Sequence, residues 1–221
     1  MLNYFFNNCD STSNGEFRFF TEKIKPDCKV IFDVGCRDDS LFRNIGEVEV
    51  HYFDPNPDSI KSLKESEKNP LAKFNTFGLS NKNETLSYSP ANTCFLDNIP
   101  ADHPFRQIPR FDCEVKKGKD YIIENGINEI DFLKIDVEGF ESRVIEGFEE
   151  KIKIVKIIQF EYGGTWGPKD QNPPIKMKDV LDYLKENGFS SFEYLGSTEN
   201  GQITDTTDHY QYCNIVAYNL K

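Results

Sequence analysis

Five carboxylates and one glycine stand at or just past the ends of apolar runs. Asp33 ends a short apolar run and is followed by Val34, Gly35, Cys36, Arg37, Asp38 and Asp39. Gly35 lets the backbone turn tightly and approach a ligand. Asp54 lies 21 residues after Asp33, and an acid about 20 residues past such a turn is placed to accept both hydroxyls of a ribose. Asp136, Glu138 and Glu161 follow later apolar runs. They converge if those runs are neighbouring strands, because adjacent strands lie only about 5 Å apart. The loop after Gly35 lacks the further glycines of G-x-G-x-x-G and carries Arg37 and Asp39 instead. Those glycines and the helix start behind them receive a pyrophosphate, and here two aspartates would repel it. A ribose-bearing, phosphate-free cation fits better, which points to S-adenosylmethionine; an NAD-dependent oxidoreductase is the alternative.

The elements that must position these residues are legible in the apolar pattern. Runs at 29–34, 48–53, 74–79, 130–137 and 154–160 are near-continuous, as in parallel strands covered on both faces. Helical spacing separates them. Leu41, Phe42 and Ile45 predict a short helix, and Asn56-Pro57-Asp58 is a helix start with its cap. Phe140, Val144, Ile145 and Phe148 share one face of a further helix, as do Met177, Val180, Leu181 and Leu184. Strands at 192–195 and 213–218 have no helix between them, so that pair is expected to be antiparallel. The fold class predicted is α/β, a doubly wound, mostly parallel sheet with an antiparallel C-terminal strand. The 221 residues suit one domain. Residues 1–28 are expected to form an N-terminal helical segment, with Phe17, Phe20 and Ile24 inward. Residues 80–128 are expected to be an inserted hairpin and loop region that, with 163–176, shapes the acceptor pocket.

Composition narrows the partners. The net charge is −11, which argues against nucleic acid and anionic membrane, since such affinity comes largely from Lys and Arg neutralising phosphates. The six cysteines include no C-x-x-C pair and only three histidines exist to join them, so a structural zinc site is not expected. Reduced thiols are expected. Residues 1–6 have neither a basic region nor a long apolar run, and no stretch reaches the roughly 20 apolar residues of a membrane span. A soluble, cytoplasmic protein is the expectation.

The runs Val30-Ile31-Phe32-Asp33-Val34-Gly35, Phe53-Asp54-Pro55-Asn56-Pro57 and Asp131-Phe132-Leu133-Lys134-Ile135-Asp136-Val137-Glu138-Gly139-Phe140-Glu141 resemble the FkbM family of methyltransferases. Val144-Ile145-Glu146-Gly147-Phe148, Phe160-Glu161 and Asn214-Ile215-Val216-Ala217 continue the resemblance in order. It implies a class I (Rossmann-like) methyltransferase fold and O-methylation of a hydroxyl on a sugar, glycan or secondary metabolite. It further implies Asp33 and Gly35 at the methionine end of the cofactor, Asp54 at the ribose, Leu79 or Ser80 at adenine and Asp136 beside the methyl. The first loop departs from the family pattern at Arg37 and Asp39. Arg37 is read as pairing with the methionine carboxylate, and the departure motivates a rival reading as a cofactor-binding module without turnover.

A hydroxyl acceptor needs its proton removed, by a base or with a metal's help. Asp136 or Glu161 is the candidate base. Alternatively both bind one divalent cation such as Mg, since carboxylates after these two strands also resemble the magnesium ligands of catechol-type O-methyltransferases. Glu138 either joins the catalytic group or hydrogen-bonds the amides beside Gly139. Glu141 is expected to be solvated or salt-bridged, and Lys134 to pair with an acid below the site. Trp166 and His209 are candidate acceptor contacts, Trp166 by stacking on a sugar ring.

Overall fold

The computed structural model describes residues 10–95, 107–163, 176–204 and 213–219. The chain enters through a four-residue helix, α1 (Glu16–Phe19), which widens into a π-helical turn over Phe20–Ile24. Phe19, Phe20 and Ile24 are buried, whereas Phe17 is 49% exposed. The wider turn is what changes the inward set: it brings adjacent Phe19 and Phe20 both against the sheet. Strands β1 (Val30–Val34) and β2 (Glu49–Phe53) follow, then α2 (Pro57–Ser66). The Asn56 side chain accepts the Asp58 amide at 3.1 Å, with Pro57 as the first helical residue. Residues 41–44 form a turn and no helix; Phe42 is buried against Phe20 and Phe132, so its apolar character serves the core without helical repeat.

The 74–79 run, read as one strand, is two. β3 (Lys73–Asn75) ends at the edge of the main sheet, and β4 (Gly78–Ser80) belongs to a second one. That second sheet adds β5 (Glu84–Ser89), β6 (Cys94–Phe95) and β7 (Phe111–Lys117) in the order β4-β7-β5-β6. Leu86, Tyr88, Phe95 and Val115 pack with Phe140 to form its core. Helix α3 (Gly118–Glu124) then returns to the main core through Tyr121 and Ile122.

Strand β8 (Ile130–Ile135), α4 (Glu141–Gly147), β9 (Val155–Tyr162), α5 (Met177–Glu186), β10 (Ser191–Tyr194), β11 (Gly201–Gln202) and β12 (Cys213–Tyr218) complete the chain. The main sheet has the order β11-β10-β12-β9-β8-β1-β2-β3. From β3 to β9 it is parallel, and β12 runs antiparallel to both β9 and β10. This is the doubly wound α/β sheet with an antiparallel C-terminal strand. One face is covered by Phe19, Phe20, Tyr52 and Phe132, the other by Phe32, Phe53, Leu133 and Phe148. Chain order reverses between β1 and β8, the position where such sheets open a crevice beyond their strand ends. Among the described residues, no helix is long and apolar enough to cross a membrane.

Candidate active site

The crevice is built by backbone first. The Gly35 and Cys36 amides both donate to the Phe53 carbonyl, at 2.9 and 3.3 Å, and the Asp136 amide donates to the Val34 carbonyl at 3.0 Å. The turn after β1 is thereby clasped between the ends of β2 and β8. Gly35 has φ +82, and a Cβ there would lie 1.8 Å from the Asp136 carbonyl oxygen, so glycine is required on both counts. Arg37 also takes a left-handed backbone, at φ +51.

Asp54 closes the floor. Its Oδ2 accepts the Arg37 amide at 3.0 Å and its Oδ1 the Asn56 amide at 2.8 Å. Burial pushes this carboxyl up to about 6, against those two amides and the Arg37 charge. Each oxygen keeps a further lone pair for a ligand.

Strand pairing places a polar row across one sheet face. Asp33 on β1 is the register partner of Lys134 on β8, which pairs with Gln159 on β9. One step further along are Asp136 and Glu161, with Asn214 of β12 opposite Glu161. Burial raises the Asp33 carboxyl to about 6, while Lys134 and the Ser40 hydroxyl, which donates to Asp33 Oδ2 at 2.5 Å, act in the other direction. Lys134 Nζ donates to Asp136 Oδ2 at 3.0 Å and lies 3.8 Å from Glu16 Oε2. Burial opposes its charge, but Asp136, Glu16 and Asp33 outweigh it and hold the ammonium well above its ordinary range.

The turn after β8 carries the remaining acids. Glu138, at φ +51, is raised to about 7 by burial and by the nearby Asp136 charge; Arg37 and a hydrogen bond with the Thr93 side chain oppose this. Its neighbour Glu141 is half-buried and not free in solvent. Glu141 turns inward, and its Oε1 accepts the amides of Val137 and Gly139 at 3.1 Å each. The amides beside Gly139 are therefore satisfied by Glu141, which leaves Glu138 facing the crevice. Burial lifts the Glu141 carboxyl to about 8.

Asp33, Gly35, Arg37, Asp54, Leu79, Asp136, Glu138 and Glu161 thus line one cleft. Ser80 does not line it: its residue is fully buried and its hydroxyl has no hydrogen-bond partner. Trp166 and His209 lie outside the described residues. The cleft also has lining residues that the sequence did not single out, chiefly Glu16, Ser40, Tyr88, Thr93 and Phe95. Glu16 reaches it from far along the chain with no motif around it. Tyr88 and Phe95 come from the second sheet, whose strand pairing no local pattern specifies. Among the described residues, no three His, Cys, Asp or Glu side chains are grouped to hold a metal ion.

The Methyltransferase FkbM domain profile matches residues 33–191, which span every strand end just described except that of β12. The chain belongs to this family. The FkbM domain makes it an S-adenosylmethionine-dependent methyltransferase. The chain is 28% identical over 197 residues to the 2-O-methyltransferase NoeI of Sinorhizobium fredii (strain NBRC 101917 / NGR234), covering 80% of this chain and 77% of NoeI. Among solved structures it is similar to a TehB-like SAM-dependent methyltransferase from Corynebacterium glutamicum, with a TM-score of 0.47 and 13% identity over 94% of this chain and 88% of that one. It is also similar to the N-terminal domain of human METTL16 in complex with SAH, with a TM-score of 0.45 and 10% identity. There 91% of this chain is covered, and the chain spans less than two thirds, 65%, of that structure's length.

The donor set of this FkbM methyltransferase fits its cofactor class. Among the described residues, seven carboxylates line the cleft (Glu16, Asp33, Asp39, Asp54, Asp136, Glu138 and Glu161) against the two cations Arg37 and Lys134. Such a surface suits an ammonium and a sulfonium and opposes a pyrophosphate. The ammonium of Lys134 supplies an internal counter-charge where the acids crowd closest.

Proposed function

We propose that this methyltransferase acts on a hydroxyl of a neutral sugar or glycan. The hydroxyl target is supported by the likeness to a 2-O-methyltransferase, and the cofactor side of the proposal is carried by Asp54: a buried carboxylate at the end of β2, fixed by two main-chain amides and set across the switch point from Asp136 and Glu138. It is the group expected to take the ribose hydroxyls. Asp33 and Gly35 would hold the methionine end, Arg37 its carboxylate, and Leu79 the border of the adenine. The cofactor when bound supplies an electrophilic methyl on a sulfonium, so the protein's task is to orient the acceptor oxygen and receive its proton.

Glu138 is the base we favour. Its carboxyl, raised to about 7, matches the pH at which proton transfer is to occur. Asp136 is tied to Lys134 at 3.0 Å, so it serves as a fixed negative charge beside the reacting centre. Glu161, on the adjacent strand end, completes the acidic wall, and a divalent cation held by Asp136 and Glu161 is the second version. β9 ends at Tyr162, whose register partner Cys213 begins β12, so these two strand ends lie side by side. Trp166, shortly after β9 in the chain, and His209, shortly before β12, are proposed to meet the acceptor. The carboxylate excess argues against nucleic acid as acceptor, and the likeness to NoeI, a 2-O-methyltransferase, supports a hydroxyl target.

The test is transfer of labelled methyl from S-adenosylmethionine to a panel of oligosaccharides, with product analysis for an alkali-stable methyl ether. The expected result is an ether on a ring hydroxyl, lost in Glu138→Gln and retained after chelation. Calorimetry with S-adenosylhomocysteine comes first, and absence of binding there overturns the site assignment itself.

A further inference from the structure

Residues 10–24 precede the family-matched segment, yet they are built into the site. Ser11 and Glu16 line the cleft. Three devices hold this segment in place. Gly15, at φ +101, packs so closely that a Cβ would lie 2.3 Å from the Gly196 carbonyl oxygen. Arg18 donates to that same carbonyl at 3.0 Å and to Asn200 Oδ1 at 2.7 Å. Phe19, Phe20 and Ile24 are buried with Ile31, Tyr52 and Val216.

The result is the delivery of one carboxylate under the strand ends. Glu16 Oε1 accepts from Asn14 Nδ2 at 2.7 Å and Asn214 Nδ2 at 3.1 Å; its Oε2 accepts from Gln159 Nε2 at 2.9 Å and faces Lys134 Nζ at 3.8 Å. Strands β8, β9 and β12 thus each commit a side chain to it. A buried carboxylate is tolerated only with this degree of hydrogen bonding and pairing. Both oxygens accept, so a glutamine would keep one acceptor and turn a donor toward the groups facing the other; the charge has a further consequence. Lys134 faces Asp33 and Asp136 as well, and with no third carboxylate its ammonium would be shared between those two alone.

We propose that Glu16 is a positioning residue for methyl-donor recognition: as a third carboxylate on the Lys134 ammonium, brought in from α1, it deepens the net negative charge that the Lys134, Asp33 and Asp136 cluster presents to a sulfonium and an ammonium. This rests on the reading above that Asp33 and Asp136 face that end of S-adenosylmethionine. Selectivity for the charged donor over its neutral-sulfur product then depends on a residue outside the segment that defines the family.

The experiment is calorimetry on the full chain and on Glu16→Gln with three probes: S-adenosylmethionine, S-adenosylhomocysteine and adenosine. In Glu16→Gln, affinity for S-adenosylmethionine is expected to fall tenfold or more, that for S-adenosylhomocysteine by less, and that for adenosine by under twofold. Equal weakening of all three probes shows a structural role only and overturns the proposal, as does no weakening of any. Should Glu16→Gln fail to fold, Asn14→Ser loosens Glu16 while keeping its charge, and the donor-to-adenosine affinity ratio is expected to fall severalfold; an unchanged ratio overturns the proposal. Wild type binding neither donor nor product is a different failure, that of the site assignment.

Discussion

The main-chain amide of Arg37 donates to Oδ2 of Asp54 at 3.0 Å, so one carboxylate joins the turn after β1 to the end of β2. Asp54 therefore shapes the cleft as well as lining it. Two amides fix its oxygens, and with them the direction in which the remaining lone pairs face the cleft.

Replacing Asp54 with alanine removes a charged acceptor from the ligand and a cap from the turn. Loss of a hydrogen bond to a charged group is worth roughly 1.5–3 kcal/mol, about ten- to a hundredfold in affinity. S-adenosylhomocysteine titrated into Asp54→Ala is expected to bind weaker by that factor. A change below twofold would place the ribose elsewhere.

Gly35→Ala is expected to damage folding and binding together. A Cβ 1.8 Å from the Asp136 carbonyl cannot be relieved by a rotamer change, and the positive φ adds its own strain. One of the two strand ends must move, at a cost of about 3 kcal/mol or more. A denaturant midpoint like that of wild type would show that β1 and β8 are not held this closely.

Glu141 gives a cleaner test of hydrogen bonding against charge. With its carboxyl raised to about 8 by burial, it is largely protonated at neutral pH, and its role is that of an acceptor for the Val137 and Gly139 amides. Glu141→Gln keeps that acceptor and is expected to leave stability within about 0.5 kcal/mol. Glu141→Ala strands two amides and is expected to cost about 1–3 kcal/mol. Equal losses in the two variants would contradict this assignment.

How much of this was readable from the chain follows from which interactions are local. Asp33, Gly35, Asp54 and Asp136 are strand-end residues, and a strand end is visible as the stop of an apolar run. The capped start of α2 is equally local. The break at Thr76 and Phe77 was not readable, because Phe74 and Leu79 are both apolar while only the non-local pairing of β4 with β7 takes the chain out of the main sheet. Phe17 was misplaced because a π-helical turn shifts the inward face. Glu16 was missed altogether, since Gln159 and Asn214 lie 143 and 198 residues away. Glu141 follows the helical pattern outward, but two unpaired amides in the preceding turn draw it in.

The buried acids also set a pH dependence of opposite sign to ordinary acid denaturation. Asp33 and Asp54 have native values of about 6 against 3.8 for the free side chain. Between about pH 4 and 6 the native state holds protons that the unfolded chain has already released. The stability these groups contribute is therefore present at low pH and lost as pH rises through that window, by an order of 2–3 kcal/mol for each fully buried group. The ligand-free protein is expected to show a urea midpoint that falls between about pH 4.5 and 6.5. Asp33→Asn keeps a partner for Ser40 and removes one titrating group, so the midpoint should depend less steeply on pH, and affinity for S-adenosylmethionine should fall at the same time. A midpoint that instead rises between about pH 4.5 and 6.5 in the wild type would mean that ion pairing with Lys134 prevails over burial at Asp33.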